Sequence, residues 1–301
     1  MHFVPIKPDM TARLATVSQR MLTLSQASGD PQSPVFRAVG HHLGTPGLQV
    51  RSQIALHAAD CLGVDPQSAF ALATCCELLH NASLIHDDLQ DRDQLRRGAQ
   101  AVWSLFGADV ALCAGDLLLS GAYAALTDVT EVAAIPQLIA QTHMAVAKTI
   151  GGQVSSALQP HEIIDRIAIY EAMAAAKSGP LLNLPFALVF SYCHRPDAAD
   201  VAARAVRAFA TAYQIADDLE DIEADAQTAV GATANIIIVL ETAKDCDRAT
   251  AQIEAVNRAR NKLAEALAIA SGLPDGTGAI LSDLAQRIAH KLDGYTSCHE
   301  I

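Results

Sequence analysis

The chain has 301 residues and a net charge of −12, with 51% hydrophobic, 4% aromatic and 18% charged residues. That balance excludes a nucleic-acid-binding surface, which needs clustered positive charge, and argues against a β-sandwich, whose strands need aromatic and β-branched runs. It suits one or two domains of packed helices.

The N-terminal stretch Met1 to Pro8 has no apolar core of the kind a signal peptide needs. Pro/Gly-rich stretches at Gly29–Pro34 and Gly40–Gly47 predict loops, with His41 and His42 as a solvated pair. Helical apolar periodicity then recurs over Val50–Leu62, Ser68–Asp91, Ala108–Leu126, Val132–Ser156, Ile163–Lys177, Leu181–Tyr192 and Ala198–Ile222, with three further blocks before the end. In Ser68–Asp91 the spacing of Cys75, Leu78, Leu79, Ala82, Ile85 and Leu89 marks one buried face. Val110–Leu126 is the most hydrophobic run, but Asp116 interrupts it and it is short for a membrane span, so a core helix is expected. Glycines and prolines such as Gly179-Pro180 separate the blocks, and Asn235–Leu240 is ambiguous between helix and strand. The expectation is an all-α chain forming one domain over 1–301. The seven cysteines show no metal-ligand spacing, which fits free thiols in a reducing cytoplasm.

One pattern occurs twice: Ile85-His86-Asp87-Asp88-Leu89-Gln90-Asp91 and Ile215-Ala216-Asp217-Asp218-Leu219-Glu220-Asp221. On a helix, Asp87 and Asp91 stack on one face with Asp88 beside them, and the second copy repeats the arrangement. Carboxylates so concentrated repel one another unless hard divalent cations bind among them. Mg²⁺ suits such a set, because it keeps waters and shares its other positions with substrate phosphates. The two copies are therefore expected on facing helices that hold a metal–diphosphate group. His86 abuts the first motif but points off its face, which suits a supporting role.

Glu77 to Asp91 and on to Arg96-Arg97-Gly98 resembles the first aspartate-rich motif of the trans-isoprenyl diphosphate synthase (polyprenyl synthetase) family. Phe106-Gly107, Gly115-Asp116, Gly152-Gln153, Lys177-Ser178-Gly179 and Tyr213-Gln214-Ile215 resemble its later landmarks in order. The resemblance runs from about residue 44 to 235. It implies the class I isoprenoid synthase fold, a helical bundle around a central cavity, and a homodimer. It also implies ionisation of an allylic prenyl diphosphate with Mg²⁺, three ions in number once substrate is bound, held by Asp87, Asp91, Asp217 and Asp221, with Asp88 and Asp218 completing the catalytic motifs. By the same resemblance Arg96, Lys177 and Gln214 sit at the allylic diphosphate, while Arg97, His80 and Arg51 hold isopentenyl diphosphate, whose alkene attacks the allylic cation. Ala82 and Ser83 are small and leave room for a long prenyl tail, with Leu79 and Cys76 deeper.

The chain also departs from that pattern. Where the family has Gly-Gly-Lys-Arg-x-Arg-Pro, this sequence reads Pro46-Gly47-Leu48-Gln49-Val50-Arg51-Ser52, keeping only the last arginine. No lysine or arginine occurs from Ile222 to Leu240, and Val154-Ser155-Ser156 lacks the aspartate that often follows the Gly-Gln pair. Charge-assisted hydrogen bonds are worth about 1.5–3 kcal/mol each, so losing two would weaken acceptor diphosphate binding by about a hundredfold to ten-thousandfold. The ionising half of the site is therefore expected intact and the acceptor half altered. Two other functions compete with prenyl transfer: a class I terpene cyclase that needs no second diphosphate, and a non-catalytic partner subunit, against which both complete aspartate motifs argue.

Overall fold

The longest apolar block of the first half needs a sharp start and a sharp stop, and both are local. Asp65 caps the helix by accepting from the Ser68 amide at 3.0 Å, and Pro66 fits the first helical position, where no amide hydrogen is needed. Arg92, left-handed at φ 62°, ends it. Helix α4 thus spans Pro66–Asp91. The structure is a computed structural model and describes residues 8–26, 29–30, 32–45, 47–156, 166–226 and 235–296. Among these, the other helices are α1 (Pro8–Gln26), α2 (Pro34–Leu43), α3 (Val50–Cys61), α5 (Val102–Phe106), α6 (Ala108–Ala125), α7 (Ile135–Ser156), α8 (Arg166–Tyr192), α9 (Pro196–Asp225), α10 (Ile236–Lys244), α11 (Arg248–Ala270) and α12 (Ala279–Thr296). A two-stranded antiparallel hairpin pairs β1 (Leu95–Arg96) with β2 (Ala99–Gln100). The chain is all-α.

The chain divides into two compact units, Met1–His143 with Leu184–His194, and Met144–Asn183 with Arg195–Ile301. In the first, α4 is sheathed by α6, α3 and α1, and Ile54, Leu72, Leu78, Ile85 and Leu118 are fully buried. This is why α4 is apolar almost all round until its last turns. In the second, α9 lies against α11 and α12, with Val206, Ile215, Ile236, Leu240 and Val256 buried.

Three expectations change. Gly40–Gly47 is not a loop throughout: Pro34 starts α2, which continues to Leu43 and buries His42. Gly179-Pro180 does not divide two helices, because α8 runs through it. Asn235–Leu240 is no strand, since Asn235 caps α10 by accepting from the Ile237 amide at 2.9 Å. Val154–Ser156, as side chains, and 157–165 and 227–234 lie outside the described residues.

By length and composition alone, Pro66–Asp91, Ala108–Asp128 and Arg166–Tyr192 are long and apolar enough to cross a membrane; 78%, 44% and 56% of those windows are buried within the protein. The Val110–Leu126 run, read as too short, gains length from the helical turns at both ends. Cys61, Cys75, Cys76, Cys113, Cys193 and Cys246 are free thiols.

Candidate active site

In the first unit the end of α4 presents Asp87 half-buried and Asp91 exposed, one turn apart, while Asp88 turns inward and is 1% exposed. Asp88 accepts from Arg96 Nε at 2.8 Å and from Arg96 Nη2. Burial pushes the Asp88 pKa up, against the pull of Arg96. Its Oδ2 is buried without a hydrogen-bond partner among the described residues. Arg96, expected at the diphosphate, is here directed to Asp88. Its position comes from the hairpin: Arg97 and Gly98 both have positive φ, 53° and 79°, the geometry of a two-residue mirror-image turn.

That turn sends Arg97 back over Thr45 and Gly47. Its Nη1 donates to the Thr45 carbonyl at 2.9 Å, and its guanidinium covers Gly47 so closely that a Cβ there would lie 2.5 Å from Nη2. The resulting cleft is lined by His41, His42, Thr45, Arg96, Arg97 and Gln100. His42 Nε2 donates to Asn81 Oδ1 at 3.0 Å; desolvation, with Arg97 nearby, lowers its pKa to about 4. His80 keeps some exposure, yet desolvation and then the charges of Arg51 and Arg97 hold its pKa well below the ordinary range. Behind them lies Glu77, 2% exposed, accepting from Ser52 N at 3.2 Å and Ser52 Oγ at 3.0 Å. Burial raises the Glu77 pKa, and the adjacent Arg51 opposes it. The structure therefore brings Arg51, His80 and Arg97 into one electrostatic cluster. Leu48 is 45% exposed, and Gln49 donates to Ser18 Oγ at 2.5 Å, tying its side chain to α1.

In the second unit α9 carries Asp217 half-buried, Asp218 buried and Asp221 exposed. Asp218 accepts from Tyr170 OH at 2.7 Å, Gln214 Nε2 at 2.9 Å and the Ile236 amide at 2.8 Å. Burial lifts its pKa to about 6 despite those donors. Gln214, expected near the diphosphate, thus holds Asp218. Asn235 Nδ2 donates to the Asp218 carbonyl at 2.8 Å and to Asp225 Oδ2 at 2.9 Å, fastening the start of α10 to α9. Asp217 Oδ1 receives Lys291 Nζ at 2.9 Å, and the same ammonium lies 3.0 Å from Glu220 Oε2. Burial raises the pKa of both Asp217 and Asp221; Lys291 opposes the shift most at Asp217, while Asp225 adds to it at Asp221.

Lys177 sits half-buried on α8 and makes no ion pair within the described residues. Pro180 removes the amide that would bond the Ala176 carbonyl one turn earlier. Gly152 of α7 packs there: a Cβ on it would meet Ala176 O at 2.5 Å and Lys177 N at 3.2 Å. The glycine is what lets α7 approach the backbone that carries Lys177.

Among the described residues no three His, Cys, Asp or Glu side chains form a ready-made ion cage. The donors still suit Mg²⁺: each motif offers two accessible carboxylates a turn apart, with hard oxygens only, and Asp88 Oδ2 is a buried acceptor left open. Mg²⁺ takes few protein ligands and fills its octahedron with water and phosphate oxygens.

The polyprenyl synthetase family model matches residues 33–235. The chain belongs to the polyprenyl synthetase family. It is 31% identical over 217 residues to a geranylgeranyl diphosphate synthase of Mycobacterium tuberculosis, covering 67% of this chain and 61% of that protein. It is 38% identical over 144 residues to a (2E,6E)-farnesyl diphosphate synthase of Mycobacterium bovis, covering 42% and 40%. The matched stretches thus span less than two thirds of those relatives' own length. Among solved structures, a geranylgeranyl pyrophosphate synthetase from the archaeon Geoglobus acetivorans superposes with a TM-score of 0.81 at 22% identity, over 93% of this chain and 98% of that one. A geranyltranstransferase from Thermotoga maritima superposes at 0.71 and 23% identity, over 94% and 99%. The fold is that of the isoprenoid synthases.

Sequence reasoning missed Glu77, His42, Tyr170, Asn235 and Lys291. Glu77 and Tyr170 are ordinary helix residues by pattern, and His42 falls in a stretch whose glycines signal a loop; Asn235 carries a capping signal ahead of an apolar run.

Proposed function

We propose that the chain is a Mg²⁺-dependent prenyltransferase that ionises an allylic prenyl diphosphate and joins it to an acceptor, isopentenyl diphosphate first among candidates. One observation carries the reading: in the first unit, the basic cluster of Arg51, His80 and Arg97 lies beside the acidic end of α4. An acidic trio serves a metal–diphosphate group, and a separate basic cluster serves a second anion.

Asp87, Asp91, Asp217 and Asp221 would hold Mg²⁺, three ions with substrate bound. Bound there, Mg²⁺ supplies positive charge that stabilises the departing diphosphate. Arg96 and Asp88 fix the hairpin that presents Arg97. Arg51 and Arg97 supply the charge that holds the acceptor anion, while His80, neutral near pH 7, supplies a hydrogen bond rather than charge. Lys177 adds a cation for the allylic diphosphate. Asp218 works through position, ordering α9 and the start of α10. The acceptor alkene attacks the allylic cation, a new carbon–carbon bond forms, and the released diphosphate takes up the proton lost. Both units belong to one catalytic domain, acting in the cytoplasm as a homodimer, with the exposed Leu112 among the apolar side chains a second copy would cover.

The displaced Gln49 and the exposed Leu48 favour a second reading, a cyclase acting on the allylic diphosphate alone. Incubation of the purified protein with Mg²⁺ and geranyl, farnesyl or geranylgeranyl diphosphate, with and without isopentenyl diphosphate, separates the two. Longer prenyl diphosphates made only with isopentenyl diphosphate are expected. Hydrocarbons or alcohols formed without it would establish the cyclase, and no turnover of any allylic substrate would remove the enzyme reading.

A further inference from the structure

Lys291 comes from α12, and its ammonium bridges Asp217 Oδ1 at 2.9 Å and Glu220 Oε2 at 3.0 Å. Its side chain is 26% exposed and that of Asp217 34%, so water screens the pair only in part. Around it, α9 carries Asp217, Glu220, Asp221, Glu223 and Asp225 within nine residues. A compact point charge at the head of this series does what a metal ion would do, quenching the repulsion among carboxylates. A lysine, unlike a bidentate arginine, sits on a flexible four-carbon stem and can withdraw without moving its helix.

We propose that Lys291 is a tethered counter-cation that occupies Asp217 in the metal-free protein and must give it up when a divalent ion binds. The proposal rests on the reading of Asp217 as a metal ligand. Its consequence is that metal uptake at the second motif is a cation exchange. The ammonium lowers the affinity for metal alone and keeps α9 ordered without it.

The test is Mn²⁺ binding to the full chain without substrate, followed by the resonance signal of the free ion, together with the melting temperature before and after Mn²⁺. For Lys291→Gln, Mn²⁺ binding that depends on Asp217 is expected to tighten about fivefold to tenfold, the scale of a partly screened ion pair. The metal-free melting temperature is expected to fall, and its rise on adding Mn²⁺ to grow. Should that variant not fold, Lys291→Arg, which grips a carboxylate through two hydrogen bonds, is expected to weaken Mn²⁺ binding about twofold to fivefold. Unchanged binding in either variant, or weaker binding in Lys291→Gln, would overturn the proposal and leave Lys291 as a support for Asp217. Equal Mn²⁺ binding by the wild type and Asp217→Asn would instead remove the metal role of Asp217, and this proposal with it.

Discussion

The two aspartate helices carry nearly the same seven residues and solve their electrostatics differently. At the end of α4 the inward aspartate, Asp88, is met by a guanidinium from a hairpin eight residues on. On α9 the equivalent Asp218 is met, among the described residues, by neutral donors, Tyr170, Gln214 and the Ile236 amide, and the cation goes to Asp217 instead. A helical repeat fixes which carboxylates share a face, because that follows from 3.6 residues per turn. What neutralises each carboxylate is supplied by whichever element packs nearby, and the repeat does not encode it.

If that contrast is right, Asp218→Ala has the largest effect on stability. It strands a phenol, an amide side chain and a backbone N–H in a buried site, for an expected loss of about 3–5 kcal/mol in denaturant unfolding. A loss below that of Asp88→Ala would break the comparison.

The second expectation concerns pH and belongs to the first helix's surroundings alone. His42 has a folded pKa of about 4, below its ordinary 6.5. As pH falls, the unfolded chain therefore takes the proton first. The His42 contribution is fully present above pH 6.5 and is lost between 6.5 and 4, amounting to about 3 kcal/mol by pH 4. Denaturant unfolding of wild type and His42→Gln should run parallel above pH 7 and differ in slope across that window, the wild type losing more stability as pH falls; curves parallel throughout would contradict the assignment.

Smallest of the three is Asp88→Ala. Arg96 keeps a side-chain exposure of 31%, so water can take over its hydrogen bonds, and the expected loss is about 1–2 kcal/mol.

How much of this was legible in the sequence follows the same division. Helix α4 announced itself through apolar spacing over more than six turns, and both motifs landed on helices in the expected register. Helix α2 was hidden because Gly40 and Gly44 mimic a loop, while burial against the first unit's core outweighs their low helix propensity. In helix α8, Gly179-Pro180 signals a break in the sequence, although its buried apolar side chains carry it through the proline. Arg51, His80 and Arg97 were legible through the resemblance, and the structure places them in one cluster. Lys291 was not legible: 74 residues separate it from Asp217, and only tertiary packing joins them. The inward turn of Asp88 and Asp218 was equally hidden, since adjacent positions on a helix differ by a rotation whose meaning depends on what lies alongside.

The central claim is that both motifs act in ionising the same kind of substrate. The direct measurement is the rate of diphosphate release from an allylic prenyl diphosphate with Mg²⁺ and isopentenyl diphosphate, in a single turnover, for wild type, Asp87→Asn and Asp217→Asn. Each variant is expected to lose about a hundredfold or more, the scale of removing a group that stabilises transition-state charge, while remaining folded. Release at nearly the wild-type rate by either one would contradict the account.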